Sequence, residues 1–146
     1  MSYVPRILLA AFALAAAHSA VAQSGVHSAA AQPAEPVELQ HIERAFSSGD
    51  VDALTAMASD RVEIAVFGRS RLYSRSQARF VLKDLFDQYP PLHFELSAPS
   101  RTARGVFAAG TYRYSVEEKP LRVYVRLRKS GQAWSLREIL VDKSGR

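Results

Sequence analysis

Arginine side chains alternate with apolar ones along a segment near the C-terminus. The apolar members are Leu121, Val123, Val125 and Leu127, and the intervening residues are Arg122, Tyr124, Arg126 and Arg128. Because successive residues of a β-strand point to opposite faces, the pattern predicts one buried face and one arginine face. Guanidinium groups bind carboxylates and phosphates through paired hydrogen bonds, and a tyrosine ring offers a flat stacking surface. The pattern therefore predicts a binding surface for an anionic partner.

A solvated outer sheet face is the alternative interpretation, with the arginines paired to Glu117, Glu118 or Glu138. Alternate side chains on one face stand about 7 Å apart along an extended strand, so the guanidinium groups repel one another and require counter-charges. Neighbouring segments supply further candidates for the same face, namely Arg113, Tyr112, Tyr114 and Arg137.

Acid–base catalysis would require a buried carboxylate, because burial raises the pKa of a carboxyl group towards neutrality. Glu63 and Glu95 alternate with apolar neighbours, which predicts that both point outward. Glu138 lies an even number of residues from Trp134, Leu136 and Leu140, so it could point inward with them. In that register, Ile139 and Val141 point to the other face of the sheet. A β-bulge would resolve this conflict. Glu138 is thus either a proton-transfer group or a salt-bridged structural residue.

A metal centre is not expected from this sequence. There is no cysteine, and His27, His41 and His93 are far apart, without a His-x-x-x-His pair or clustered carboxylates. His93 is predicted to lie on the sheet surface. No cofactor is expected either.

The N-terminus has the three parts of a secretory signal: Arg6, an apolar run over residues 7–17, and the small-x-small ending Ala20-Val21-Ala22. The apolar run is too short for a membrane anchor, since a spanning helix needs about 20 residues. The formal net charge is +5, and removal of residues 1–22 takes away one basic side chain. We therefore expect a periplasmic or secreted protein cleaved near Ala22, with no stable membrane anchor and no nucleic-acid partner.

The rest of the chain divides into a tail and one domain. Residues 23–36 have no apolar periodicity and predict a disordered tail, so the domain is expected to cover residues 37–143. Two short helices are predicted first, then a strand over residues 62–66 and a helix that begins with the capping box Ser74–Gln77. Four strands follow, over residues 92–98, 106–115, 121–129 and 133–142. The sequence predicts an α+β fold, a highly curved antiparallel sheet wrapped around three N-terminal helices.

Several short motifs along residues 37–143 resemble a known superfamily. They are Ala45-Phe46-Ser47-Ser48-Gly49-Asp50, Val62-Glu63-Ile64, Tyr73-Ser74, Gln77-Ala78, Leu82-Lys83-Asp84-Leu85-Phe86, Pro90-Pro91, Ala109-Gly110-Thr111-Tyr112, Val123-Tyr124-Val125-Arg126-Leu127 and Leu136-Arg137-Glu138-Ile139. The chain resembles the nuclear-transport-factor-2-like (NTF2-like) superfamily, which includes ketosteroid isomerases and SnoaL-type cyclases, and within it a group of exported bacterial proteins, domain-of-unknown-function family 4783. The resemblance implies a cone-shaped, cystatin-like fold; because the motifs mark turns and caps, it implies little about activity.

Three functions follow as hypotheses. The first is an exported non-enzymatic binding or accessory domain, which holds a small apolar ligand in the cone or docks a partner on its sheet, including a second copy of itself. The second is a SnoaL-type lyase or isomerase that uses a buried carboxylate such as Glu138. The third is an interaction module whose arginine face binds an acidic component of the cell envelope.

Overall fold

The structure is a computed structural model, and it describes residues 35–144. The predicted signal peptide, residues 1–22, and nearly all of the predicted tail, residues 23–36, lie outside the described residues. Within the described part of the chain, no helix is both long and apolar enough to cross a bilayer.

Residues 35–144 contain three helices: α1 (Val37–Ser48), α2 (Val51–Met57) and α3 (Arg75–Gln88). Helix α1 ends at Gly49, whose φ of 68° lies in the left-handed region that glycine adopts without a side-chain penalty. The Asp50 side chain then caps α2 by accepting a hydrogen bond from the Ala53 N–H at 2.9 Å. Ser74 and Gln77 form the predicted capping box at the start of α3.

In the described part of the chain, seven strands form one sheet. They are β1 (Ala58–Val66), β2 (Arg69–Ser74), β3 (His93–Leu96), β4 (Ser100–Thr102), β5 (Gly105–Arg113), β6 (Leu121–Ser130) and β7 (Ala133–Lys143). Their order is β2-β1-β7-β6-β5-β3, and β4 pairs with β5. The short strand β4 was not predicted, because three residues are too few to show an alternating pattern.

The predicted all-antiparallel sheet needs one correction, because β1 and β7 pair in parallel. The other neighbouring strands are antiparallel. A parallel pair requires a long crossover, and here α3 and the whole meander separate the two strands. The sheet is therefore mostly antiparallel, and the α+β fold with three helices against a curved sheet is confirmed.

The core lies between the helices and one face of the sheet. Helix α3 contributes Ala78, Leu82, Leu85 and Phe86, which are buried on one face of the helix. The strands contribute Val62, Ile64, Phe94, Val106, Ala108, Tyr112, Leu121, Val123, Val125, Leu127, Leu136, Ile139 and Val141. The opposite face of the sheet, here called the outer face, carries the side chains between these positions.

Candidate functional site

Strand β6 shows the predicted alternation between a core face and an arginine face. Its four apolar residues are at most 2% exposed. Arg126 and Arg128 are exposed on the outer face, while Arg122 and Tyr124 are half-buried there. The alternation of side chains along β6 therefore places the four candidate binding residues on one face, as the sequence predicts, although they differ in exposure to solvent.

A β-bulge in β7 brings another arginine onto the outer face. Arg126 pairs with Glu138 and Leu127 with Leu136, so Arg137 is the extra residue. Leu136 and Ile139 are both buried, whereas Arg137 and Glu138 between them are not. The bulge turns these two consecutive side chains outward together, which resolves the conflict in parity along this strand.

Glu138 consequently lies on the outer face of the sheet and not in the cone. Its carboxylate is 3.0 Å from the Arg126 guanidinium, and its side chain is 24% exposed. Glu63 on β1 is the Cα partner of Glu138 and is exposed, as predicted. The Ser70 hydroxyl donates a hydrogen bond to Glu63. A catalytic role that requires an inward Glu138 has no basis in this arrangement.

Four arginines and two glutamates surround a shallow depression of about 290 Å³, together with Leu72. We call these residues the arginine surface: Arg104, Arg126, Arg128, Arg137, Glu63 and Glu138. With four guanidinium groups against two carboxylates, its formal net charge is +2. In the described part of the chain, no carboxylate lies within ion-pair distance of Arg104, Arg128 or Arg137. Three guanidinium groups are therefore available to a ligand from outside.

Arg122 lies apart from this cluster. Its Cα partners are Asp142 on β7 and Thr111 on β5, and it lies four residues from Arg126 along β6. Arg113 lies further still, opposite His93. Tyr112, considered a candidate for the arginine face, is instead a core residue that is 1% exposed. Sequence reasoning placed it on the wrong face because the register of β5 against β6 cannot be read from β6 alone.

An aromatic pair borders the arginine surface. Phe107 on β5 is the Cα partner of Arg126, and its ring stacks on Tyr124 with a centroid distance of 5.9 Å and an interplanar angle of 21°. Phe107 is 37% exposed. Phe107 and Arg104 were both missed from the sequence. The alternation of β5 does contain Phe107 as an outward residue, but only the pairing with β6 brings it beside the arginines.

Aromatic side chains fill the centre of the cone. Phe46 contacts Phe86, Phe94 and Tyr112 at centroid distances of 5.6, 4.8 and 6.3 Å. The Tyr112 hydroxyl donates a hydrogen bond to the carbonyl oxygen of Tyr89. Burial raises the pKa of Tyr112, so this hydroxyl stays protonated. Its proton is already committed to a backbone carbonyl, which argues against a role in proton transfer.

The histidines do not come together. His41 is exposed on α1, and His93 is 61% exposed at the sheet surface, 3.8 Å from the Glu95 carboxylate. His27 lies outside the described residues. Within residues 35–144, no three His, Cys, Asp or Glu side chains are placed to hold a metal ion.

A family model described as "Domain of unknown function (DUF4783)" matches residues 39–142. A DUF4783 family protein from Bacteroides fragilis YCH46 aligns with a TM-score of 0.67 at 20% identity, over 76% of this chain and 100% of that chain. Another, from Bacteroides ovatus ATCC 8483, aligns with a TM-score of 0.66 at 21% identity, over 73% of this chain and 94% of that chain. An NTF2-like protein of unknown function from Silicibacter pomeroyi DSS-3 aligns with a TM-score of 0.53 at 13% identity, over 73% of this chain and 90% of that chain.

These likenesses concern the fold, because the sequence identities are all below 25%. No curated protein matches the chain. The likeness to NTF2-like proteins is confirmed for the fold, the resemblance to family 4783 is confirmed by the family model, and the chain belongs to the DUF4783 family.

Proposed function

We propose that this domain is an exported, non-enzymatic docking module that binds an acidic protein segment through the arginine surface. The observation that carries the proposal is the group of three guanidinium groups, Arg104, Arg128 and Arg137, that lack a carboxylate partner among residues 35–144. Positive charges around one depression repel one another, and the carboxylates of a bound ligand would relieve this repulsion.

The chemistry beside the arginines favours a protein as the partner. The exposed Phe107 ring, the half-buried Tyr124 and the exposed Leu72 lie at the edge of the cluster. Arginine and aromatic residues are enriched where protein interfaces concentrate their binding energy. An acidic segment with interspersed apolar side chains complements both parts of this surface.

Two other functions fit the geometry less well. A second copy of the domain would bring the same net-positive surface against itself, since a symmetric dimer uses the same patch twice. A lyase or isomerase needs a buried carboxylate in the cone, where the described structure has the ring cluster around Phe46 and where Glu138 is absent.

The proposal predicts salt-sensitive binding of a short peptide in which glutamate and leucine alternate. The variant Arg104→Gln, Arg128→Gln, Arg137→Gln should bind it about a hundredfold more weakly at low salt, if each exposed pair contributes up to about 1 kcal/mol. Arg126 is left in place so that Glu138 keeps its ion pair. Fluorescence anisotropy over a salt series measures the effect, and raised salt should weaken wild-type binding steeply.

A matched variant removes three positive charges elsewhere. Arg44→Gln, Arg79→Gln and Lys83→Gln are exposed helix positions, so this variant loses the same net charge without altering the outer face. We expect it to bind the peptide nearly as well as wild type. Equal losses in the two variants would mean that net charge, and not the arginine surface, governs binding. A peptide with glutamine in place of glutamate should not bind.

Export is part of the proposal and rests on Arg6, the apolar run over residues 7–17 and Ala20-Val21-Ala22. We expect protein recovered from the periplasm or medium of an expressing bacterium to begin at Gln23. N-terminal sequencing measures this directly. Recovery of an intact Met1 from that fraction would contradict cleavage.

A further inference from the structure

A cleft of about 530 Å³ lies between the β1–β2 hairpin and α3, outside the ring cluster that fills the cone. Seven of its ten lining residues are apolar or aromatic: Ile64, Val66, Phe67, Tyr73, Val81, Leu85 and Tyr89. Arg69, Asp84 and Gln88 supply its polar groups. This volume lies within the range of small-molecule sites, about 300 to 1,000 Å³.

The wall of the cleft is built on an unfavourable backbone conformation. Val66 and Arg69 close a two-residue turn in which Phe67 has a φ of 50° and Gly68 a φ of 83°. Such a turn requires left-handed residues and normally uses Asn-Gly or Gly-Gly. A bulky residue there is an outlier, and outliers of this kind concentrate at functional sites. The backbone at Phe67 is therefore strained, and this strained residue carries an aromatic ring into the wall of the cleft.

The Phe67 ring joins an aromatic row along the cleft. It meets Tyr89 edge-on at a centroid distance of 5.7 Å, and Tyr89 meets Tyr114 edge-on at 5.0 Å. The Phe67 N–H donates to the carbonyl oxygen of Val141 at 2.9 Å, which holds the turn against β7. A flat ring entering the cleft would find aromatic faces and edges in fixed positions.

Positive charge lies at the same end of the cleft. Arg69 has no carboxylate within ion-pair distance among residues 35–144, and the Lys143 Nζ is 5.5 Å from the Phe67 ring centroid. The Asp84 carboxylate accepts a hydrogen bond from the Gln88 side-chain amide at 2.7 Å. Arg69 is therefore the lining group that is available to an anionic substituent.

We propose that this cleft binds a small aromatic anion, with its ring against Phe67 and Tyr89 and its carboxylate or sulfonate on Arg69. The site is separate from the arginine surface, so it does not depend on the docking function proposed above. It also explains why a phenylalanine stands where the turn favours asparagine or glycine.

Two fluorescent probes test the proposal on the purified protein. Anilinonaphthalene sulfonate is an aromatic anion, and phenylnaphthylamine has the same rings without the sulfonate. We expect one molecule of the anionic probe to bind per chain. Phe67→Asn should weaken both probes about tenfold or more, because it removes a ring contact while supplying a residue that the turn prefers. Its thermal midpoint should stay close to that of wild type, because a more favourable turn residue offsets the lost ring contact with Tyr89.

Arg69→Gln separates the charge from the ring. It should weaken the anionic probe about tenfold and leave the neutral probe unchanged. This comparison stands even if Phe67→Asn proves unstable, because both probes are measured on the same Arg69 variant.

The matched control is Phe80→Ala, which removes an exposed aromatic ring from α3 that does not line the cleft and should leave both affinities unchanged. The proposal is overturned if the anionic probe does not bind, if folded Phe67→Asn binds as tightly as wild type, or if Arg69→Gln weakens both probes equally. It is also overturned if Phe80→Ala, and not Phe67→Asn, abolishes binding.

Discussion

Replacement of Phe86 by alanine should lower the free energy of unfolding by about 3–5 kcal/mol. Phe86 is 7% exposed and contacts the Phe46 ring edge-on at 5.6 Å, in the centre of the ring cluster. Truncation removes the transfer free energy of the ring and leaves a cavity that neighbouring rings cannot fill without leaving their rotamers. Urea denaturation followed by circular dichroism measures the loss as a shift of the midpoint at constant slope.

The same helix provides a matched control, because Phe80 on α3 is 72% exposed. Phe80→Ala should change the free energy of unfolding by no more than about 0.5 kcal/mol, and alanine is the better helix former. Lys83→Ala should be similarly mild, since it removes only an exposed pair with Asp87. Comparable losses in Phe86→Ala and Phe80→Ala would mean that the helix presents a different face to the sheet.

The orientation of α3 was predictable because its determinants are local. The capping box at Ser74 and Gln77 sets where the helix starts, and the helical period then fixes which side chains share a face. Neither feature depends on a distant part of the chain. The alternation of β6 is local in the same sense, and it placed Arg126 and Arg128 on the outer face correctly.

The composition of the arginine surface was not predictable to the same extent, since it depends on pairing between distant segments. Arg137 turns outward because a bulge fits β7 to β6, and β7 must at the same time pair in parallel with β1. Phe107 reaches the aromatic pair only through the register of β5 against β6. Single-strand periodicity specifies a face but not the neighbours on that face, which explains both the missed Arg104 and the misplaced Tyr112.

The cleft shows a different limit of sequence reasoning. Phe67-Gly68 does not match the Asn-Gly pattern that is typical of a two-residue hairpin turn, and the sequence indicates only a turn at Gly68-Arg69-Ser70 with a brief return strand over residues 71–73. In the structure β1 and β2 pair on either side of this turn through six residue pairs. A phenylalanine with a positive φ contradicts the local preference of the turn, so it is difficult to predict from sequence. Such exceptions are expected at functional sites, where a residue is retained at a cost in stability.

Close approach of a backbone to an aromatic ring makes Gly110 on β5 a second sensitive position. A Cβ atom there would lie 2.6 Å from two atoms of the Phe94 ring and 2.9 Å from the carbonyl oxygen of Glu95. Both distances are shorter than van der Waals contact, and the second involves backbone, which cannot swing aside. The Phe94 ring is also held by Phe46 at a centroid distance of 4.8 Å. The absence of a side chain at Gly110 is therefore a packing requirement of the ring cluster.

Gly110→Ala should consequently destabilise the domain by about 1–3 kcal/mol through overpacking, although alanine reduces the entropy of the unfolded chain. Ala109→Ser, which adds one heavy atom to the neighbouring residue on the outer face, should stay within about 0.5 kcal/mol. Urea denaturation of both variants measures the difference. Adding Phe94→Leu to Gly110→Ala should cost less than the sum of the two single changes, because a smaller side chain makes room for the methyl group. Strict additivity, or a Gly110→Ala variant as stable as wild type, would show that the Phe94 ring does not lie on the Gly110 backbone.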